Sequence, residues 1–474
     1  MNILMLDKSF IIDRRIVLEA EALITQGHQV ILYAGRENLE QESLEMDNQL
    51  KIYRILNSSV LEYCLKNSSV EELKNLSKCL GHYKNHESSR LKAYFKFAIK
   101  YPKWAIIQLN RINAPLPEKV HKLIEFILSI LSRNINILRQ SFKSPFQYWI
   151  NAVENSVFSH FKPDVIHCHD FSSLETGVAL AQKYQIPLIY DAHELYSYQP
   201  GIPSWISKNI FTKEKRLIHF AHTCITVNKQ QADIMAKDFN YHQFLPISNA
   251  TAEPKDFNPN HNYNLIRQAT EIPQNEYIML FQGGINRLRK IDLLIQGLAL
   301  VNQKIHLVFL TFGSEINEFK AMAQNLNISD RVHFLPVVPW DDMVYWAASA
   351  DVGILPYQAD DMNTRISSPN KMYEFICAAT PMIASTELIN VHQVLTEENF
   401  GVSYRLKEPK DYARAIEIMF DENLGGPKRF KADLIEKRHK YLWAHEANKL
   451  INFYSKLSEQ HNIPLPNKEE LIEA

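Results

Sequence analysis

Apolar residues recur along this chain with two periods. Short apolar runs, bounded by turn residues, fit strands buried on both faces. Between them apolar residues return every three or four positions, as on helices with one buried side. Residues 2–6 (NILML) form the first such strand. Residues 13–26 carry Ile16, Ala20, Leu23 and Ile24 on one face, and Gly27-His28 stops the helix before a second strand over 29–34. This opening is doubly wound, an arrangement whose ligands sit beyond the carboxyl ends of the strands. It lacks a G-x-G-x-x-G, which disfavours a dinucleotide site. The rhythm resumes with the strand PDVIHCHD (163–170), a helix over 172–184, the strand PLIYDAHE (187–194), a helix over 214–221 and the strand HTCITVN (222–228).

A linker follows over 250–275, marked by Pro254, Pro259, Pro273 and many Asn. A second α/β half begins at YIMLFQ (277–282) and continues through IHLVFLTFG, RVHFLPVV, ADVGILPY and MIAST, with helices between. Residues 440–457 read as an amphipathic helix, and the polar end beyond about 460 is expected to fray. The fold class is therefore α/β, with two Rossmann-like doubly wound domains and a cleft between them. The expected boundaries are 1–250, 275–430 and a C-terminal helical segment over 431–460.

One stretch breaks the rhythm. Residues 58–150 read as mostly helical, and from Arg90 to Ile150 there are eleven Lys and Arg against two Glu. Two readings stand: a helical subdomain packed on the first sheet with its charges solvated, or an interfacial segment over 88–150 that attracts an anionic membrane surface.

The totals narrow the classes. At 474 residues the chain holds two or three domains. With 46% hydrophobic and 22% charged residues it is an ordinary globular protein, and a net charge of -1 argues against a nucleic-acid partner. Five scattered cysteines fit a reducing cytoplasm and give no zinc or disulfide framework. The N-terminus is too short in its apolar part for a signal peptide, and no apolar run is long enough for a transmembrane helix.

Chemistry concentrates at the ends of strands. In Ser367–Ser385 (SSPNKMYEFICAATPMIAS) Ser368 is expected to cap a helix and Pro369 to fit its first turn. The helix start presents N–H groups and the positive end of its dipole, an anion site. Asn370, Lys371 and Glu374 share a face there, suited to a phosphate and a hydroxyl-rich group. In FQGGINRLRK the Gly283-Gly284 turn allows close approach of a phosphate, and Arg289 stands where it can clamp a diphosphate. Alone, that segment reads more readily as a surface loop with solvated arginines. His193 ends a first-domain strand in DAHEL, at the ligand end of the sheet. His167 and His169 are expected on alternate faces of their strand, one buried and one toward the cleft. No third ligand has matching spacing, so no metal site is expected. Asp341-Asp342 and Asp360-Asp361 are expected to be turn or cap residues.

Taken together these motifs resemble glycosyltransferase family 4, whose members have the GT-B fold of two facing Rossmann-like domains. The N…SPNK-x-x-E-[FY] variant, with Asn363 as its first residue, is similar to a bacterial polysaccharide subgroup. The resemblance spans about 1–55, 160–250 and 275–460. It implies a retaining hexosyltransferase that uses a nucleotide-diphosphate sugar as co-substrate, with no cofactor and no required metal. The sugar acceptor would be a glycan, a lipid-linked or a small molecule; the cysteines and the basic segment add a cytoplasmic location, peripheral on the cytoplasmic membrane face if the interfacial reading of 88–150 holds. By position, Glu374 would hold the ribose, Arg289 and Lys371 the departing phosphate, and His193 the sugar. Gly283, Gly284, Gly313, Asn363, Ser368, Pro369 and Asn370 would line the sugar-donor site. Lys8, Ser9, Arg14 and Glu194 would meet the acceptor, and Asn249 would serve as a hinge or a contact. Trp443, Glu446, Leu450 and Tyr454 match the family's last helix, which crosses back onto the first domain.

This chain departs from the family pattern at Ile366, where a first glutamate is usual, at Gly284 in place of a second arginine, and at Lys290 in place of Gly. Two other classes remain: a non-catalytic GT-B scaffold in polysaccharide assembly, which those departures would suit, and a sugar-nucleotide epimerase, which would need more carboxylates.

Overall fold

In a computed structural model, the described residues are 1–36, 44–47, 49–56, 145–156, 158, 160–285, 289–301 and 304–461. The basic segment 58–150 therefore lies outside the described residues, apart from the start of the helix Pro145–Ser156.

The strands of the amino-terminal part are β1 (Asn2–Leu6), β2 (Gln29–Arg36), β3 (Leu44–Asp47), β4 (Leu50–Leu56), β5 (Val165–His169), β6 (Leu188–Ala192), β7 (Thr223–Thr226) and β8 (Phe244–Pro246). They order as β3-β4-β2-β1-β5-β6-β7-β8. β1 pairs in parallel with β2 and β5, and only β3, on β4, is antiparallel among the pairings described. Ile3 to Leu6 are all buried, as a central parallel strand covered by helices on both faces requires. Asp13 caps the helix Arg14–Ile24 by accepting from Arg15 N–H, and Ile16, Ala20 and Leu23 are buried as the periodicity predicts.

The remaining strands are β9 (Tyr277–Gln282), β10 (Ile305–Leu310), β11 (Val332–Leu335), β12 (Val352–Leu355), β13 (Met382–Ser385) and β14 (Gly401–Tyr404). All are parallel, in the order β11-β10-β9-β12-β13-β14. Two sheets of parallel strands with helices between them are the GT-B architecture.

By its internal contacts the chain divides into two units. One comprises Met1–Asp191, Leu217–Thr223 and Leu457–Ala474, the other Ala192–Arg216 and Cys224–Lys456. The expected linker at 250–275 holds a short helix, Leu265–Thr270, which Leu265 N–H joins to Ser349 Oγ at 3.1 Å and Arg267 to Asp351 at 3.2 Å. Proline and asparagine signal turns, but they do not show that Ile266 is buried. In the helix Trp443–Gln460, Trp443, Leu450 and Tyr454 are buried, and Glu446 accepts from Ser248 N–H at 3.0 Å. No described helix is long and apolar enough to cross a membrane.

The helix that matters most for the site, Asn370–Cys377, buries Met372, Tyr373, Phe375 and Ile376. Phe375 lies flat against β12 at Gly353, where an added Cβ would fall 2.6 Å from ring carbons of Phe375. The seat of this helix therefore depends on a missing side chain. Gly353→Ala is expected to destabilise the second unit by about 1–3 kcal/mol through overpacking, read as a lower urea midpoint. A midpoint within error of the native one would show that the ring yields freely.

Candidate functional site

The side chains with chemistry gather at the carboxyl ends of β9, β10 and β12, around the start of the helix Asn370–Cys377. β9 ends at Gln282, and Gly283 turns the chain with φ +104, a conformation that favours glycine. The turn is held by Gly283 N–H to Leu310 O at 2.9 Å, Thr311 Oγ1 to Gly283 O at 2.7 Å, and Ile285 N–H to Phe312 O at 2.9 Å. A Cβ on Gly283 would lie 3.0 Å from Lys371 Nζ, so the lysine reaches the turn from the helix start. Gly284 faces the exposed ring of Phe312, and Gly313 packs on Ile285. Arg289 lies over the ring of Tyr357, its Cζ 4.8 Å from the ring centre. The structure thus brings Gly283, Gly284, Gly313, Arg289 and Lys371 into one neighbourhood.

Glu374 lies one turn further along the helix and accepts from Gln282 Nε2. Burial pushes its carboxyl pKa up, while Lys371 and the Gln282 bond pull the other way less strongly. Ionising Glu374 therefore costs the folded state. That cost is absent below the unfolded carboxyl pKa and complete above the folded one. Glu374→Gln is accordingly expected to melt higher than the native protein at neutral pH, with the difference closing toward about pH 4. A difference that stays constant across that range would refute the burial account.

A second group encloses a cavity of about 180 Å³, lined by His193, Glu194, Asn363, Ile366 and the segment Ser367–Asn370. Asn363 is oriented at both ends of its amide: its Oδ1 accepts from Leu195 N–H at 2.9 Å and its Nδ2 donates to Glu194 at 2.9 Å. Gln199 donates to the other Glu194 oxygen. Asn363 thus holds Glu194 in place, and Glu194 stands in the same cavity as His193.

Ser368 does not cap the helix as expected. Pro369 occupies the cap position, and no side chain caps the helix. The Ser368 hydroxyl instead accepts from Asn228 Nδ2 at 2.8 Å and Asn390 Nδ2 at 2.9 Å, and Asn249 Nδ2 donates to the Ser368 carbonyl at 3.0 Å. Asn228 also reaches Ile366 O at 2.7 Å, and its Oδ1 caps the helix Lys229–Phe239. Asparagine amides from distant segments have taken the hydroxyl that a local cap would have used, and Asn249 acts as a tether.

The residues suggested for the acceptor are in the first unit, apart from Glu194. Ser9 donates to Asp7, Lys8 Nζ stands 5.3 Å from the Trp149 ring centre, and Arg14 opens the first helix.

His167 and His169 do not point to alternate faces. Residues two apart on a strand share a face, and their rings stack at 4.4 Å. Both are buried. Glu19 from the first helix and Asp191 from β6 complete the group, with one potential ligand atom from each of the four within 4.8 Å of one another. Sequence spacing missed these partners because they come from two other elements. Arg15 already serves both carboxylates, its Nε 3.0 Å from Glu19 and 3.0 Å from Asp191. Burial alone would lower the Arg15 pKa, but Asp191 and Glu19 outweigh it and keep the guanidinium charged. Cys168 between the histidines, like Cys224 and Cys377, is buried and outside any disulfide. Asp361 caps the short helix Met362–Arg365, and Asp341 and Asp342 lie in the first turn of the helix Trp340–Ala348, as expected of cap and turn residues.

Sequence reasoning gave no role to Tyr357, Gln282, Asn228, Asn390 or Gln199. The first two were within reach, since both follow or end a strand at its ligand side. Asn228 and Asn390 act through contacts with a segment distant in sequence, and Gln199 through a turn five residues from its partner.

Two sheets of this topology, with cations at a glycine turn beside a helix start, define a GT-B protein. The description "Glycosyltransferase Family 4" matches residues 120–247, and "Glycosyl transferases group 1" matches residues 262–441. A D-inositol 3-phosphate glycosyltransferase of Xylanimonas cellulosilytica is 20% identical over 318 residues, covering 63% of this chain and 73% of the relative. An uncharacterized glycosyltransferase of Methanocaldococcus jannaschii is 23% identical over 305 residues, covering 62% and 75%. Among solved structures, sucrose-phosphate synthase from Thermosynechococcus elongatus has a TM-score of 0.63 at 15% identity, covering 97% of this chain and 99% of that one. Anabaena HepE in complex with UDP and glucose also has a TM-score of 0.63, at 12% identity, covering 96% and 100%. These matches make the chain a glycosyltransferase of the GT-B type.

Proposed function

We propose that this enzyme transfers a hexosyl group from a nucleotide-diphosphate sugar to a glycan, lipid-linked or small-molecule acceptor, with retention of configuration, in polysaccharide synthesis. The observation that carries this reading is the pair of cations, Arg289 and Lys371, gathered at Tyr357 beside the Gly283-Gly284 turn. The barrier in such a transfer is departure of the diphosphate as positive charge grows at the anomeric carbon. Fixed cations and helix N–H groups aimed at the departing oxygens lower it without rearranging. Glu374, a turn further along the helix, would hold the ribose diol. His193, in the adjoining cavity, would hydrogen-bond a sugar hydroxyl, and the Glu194 carboxylate would meet the acceptor. Two fixed cations supply the charge for which other transferases use a metal, so no metal is required on this reading. Structures of Anabaena HepE with UDP and glucose, and of the Arabidopsis thaliana starch synthase IV catalytic domain with ADP and acarbose, lend support to a nucleotide co-substrate. The excess of Lys and Arg over 90–150 supports a cytoplasmic enzyme, peripheral on an anionic membrane face and close to a lipid-linked acceptor.

Thermal shifts of the purified protein against UDP, GDP, ADP, CMP and their sugars test this reading. One nucleotide and its sugar are expected to raise the melting temperature, and an Arg289→Ala, Glu374→Ala double variant is expected to lose the shift. Folded native protein that responds to no nucleotide would overturn it in favour of a non-catalytic role.

A further inference from the structure

We propose that Tyr357 is a positioning residue that fixes the spacing of Arg289 and Lys371, and so makes the site select a diphosphate over a monophosphate. The inference rests on the nucleotide-sugar reading above.

Tyr357 follows β12 across Pro356, at the ligand end of the second sheet, with 6% of its surface exposed. It meets the two cations in different ways. Arg289 Cζ lies over the ring, 4.8 Å from its centre, where the negative face of the π-system attracts a guanidinium. Lys371 Nζ is 2.5 Å from the hydroxyl oxygen yet 5.2 Å from the ring centre. It therefore stands beyond the hydroxyl, nearly in line with the C–O bond, and donates to the oxygen. The face holds one cation and the edge holds the other.

Lys371 is confined from a second side as well. Lys371 Nζ is 5.3 Å from the Phe281 ring centre and abuts Gly283. Beside Arg289, Lys290 adopts a left-handed conformation at φ 55 and its Nζ is 3.1 Å from Asp360. In an empty site two like charges repel, and two long side chains sample many rotamers. One aromatic side chain offsets both effects. A single phosphate can be met by either cation alone, and gains little from fixed spacing. A diphosphate offers two anionic centres, so it gains from both cations already held apart by the phenol.

The test is calorimetric titration of the full chain with UDP and UMP, ADP and AMP, and GDP and GMP. Native protein, Tyr357→Phe and Tyr357→Leu are compared, each checked by its melting curve. For the pair the native protein binds, Tyr357→Leu is expected to weaken the diphosphate about tenfold and the monophosphate less than about twofold. Tyr357→Phe keeps the ring face and loses only the hydroxyl bond, so its diphosphate loss should be intermediate, with the monophosphate unchanged. If Tyr357→Leu melts early, Tyr357→Phe alone decides by the same ratio. Diphosphate affinity equal to native in both variants, or equal losses for the two ligands, would overturn the proposal while leaving the nucleotide-sugar reading intact. Native protein that binds none of the six nucleotides would overturn that reading, and this proposal with it.

Discussion

Three asparagine side chains converge on Ser368, and the geometry of the site depends on that convergence. Asn228 and Asn390 donate to its hydroxyl and Asn249 to its carbonyl. These bonds fix the residues just before the helix Asn370–Cys377, and so fix where its first N–H groups, Lys371 and Glu374 stand. Such hydrogen bonds are individually modest, but losing a partner leaves the buried Ser368 or Asn228 desolvated, so the set holds a single arrangement. On the other side the helix is seated by Phe375 against Gly353. Polar bonds locate one end of the helix and close packing locates its length.

The chain has 13 glycines in 474 residues, few for a protein that cradles phosphate with backbone alone. On the proposed reading the site uses another solution. Gly283 provides one sharp turn, and the remaining order comes from side chains that orient other side chains: Gln282 on Glu374, Asn363 and Gln199 on Glu194, Tyr357 on Arg289 and Lys371. Glu374, Glu194, Arg289 and Lys371 each have a supporting residue, which is what preorganised binding would require.

Much of the fold was legible. Buried parallel strands read as continuous apolar runs, and helices such as Arg14–Ile24 showed their period. The Gly283-Gly284 turn and the helix within 367–385 were legible as structure because local sequence sets local geometry there. What failed depended on distant partners. Ser368 looked like a cap because its neighbours in sequence permit one, but its actual partners lie at 228, 249 and 390. The histidines of β5 were misplaced by a slip in strand periodicity, and their carboxylate partners come from a helix some 150 residues earlier and from the next strand. Tyr357 was passed over because a buried aromatic after an apolar strand reads as core, and nothing local marks the cations around it.

The Arg15 network carries a consequence for how this protein can change. One guanidinium serves two carboxylates, with two stacked imidazoles packed against them, and all five side chains are buried. Removing one member strands the charge of another in a low-dielectric interior, whereas exchanging the whole set for apolar residues can be neutral. Substitutions here are therefore strongly non-additive. Viable variants lie several simultaneous replacements away from this sequence, with poorly folding intermediates between. The group behaves as one inherited character, and related chains should carry it whole or lack it entirely.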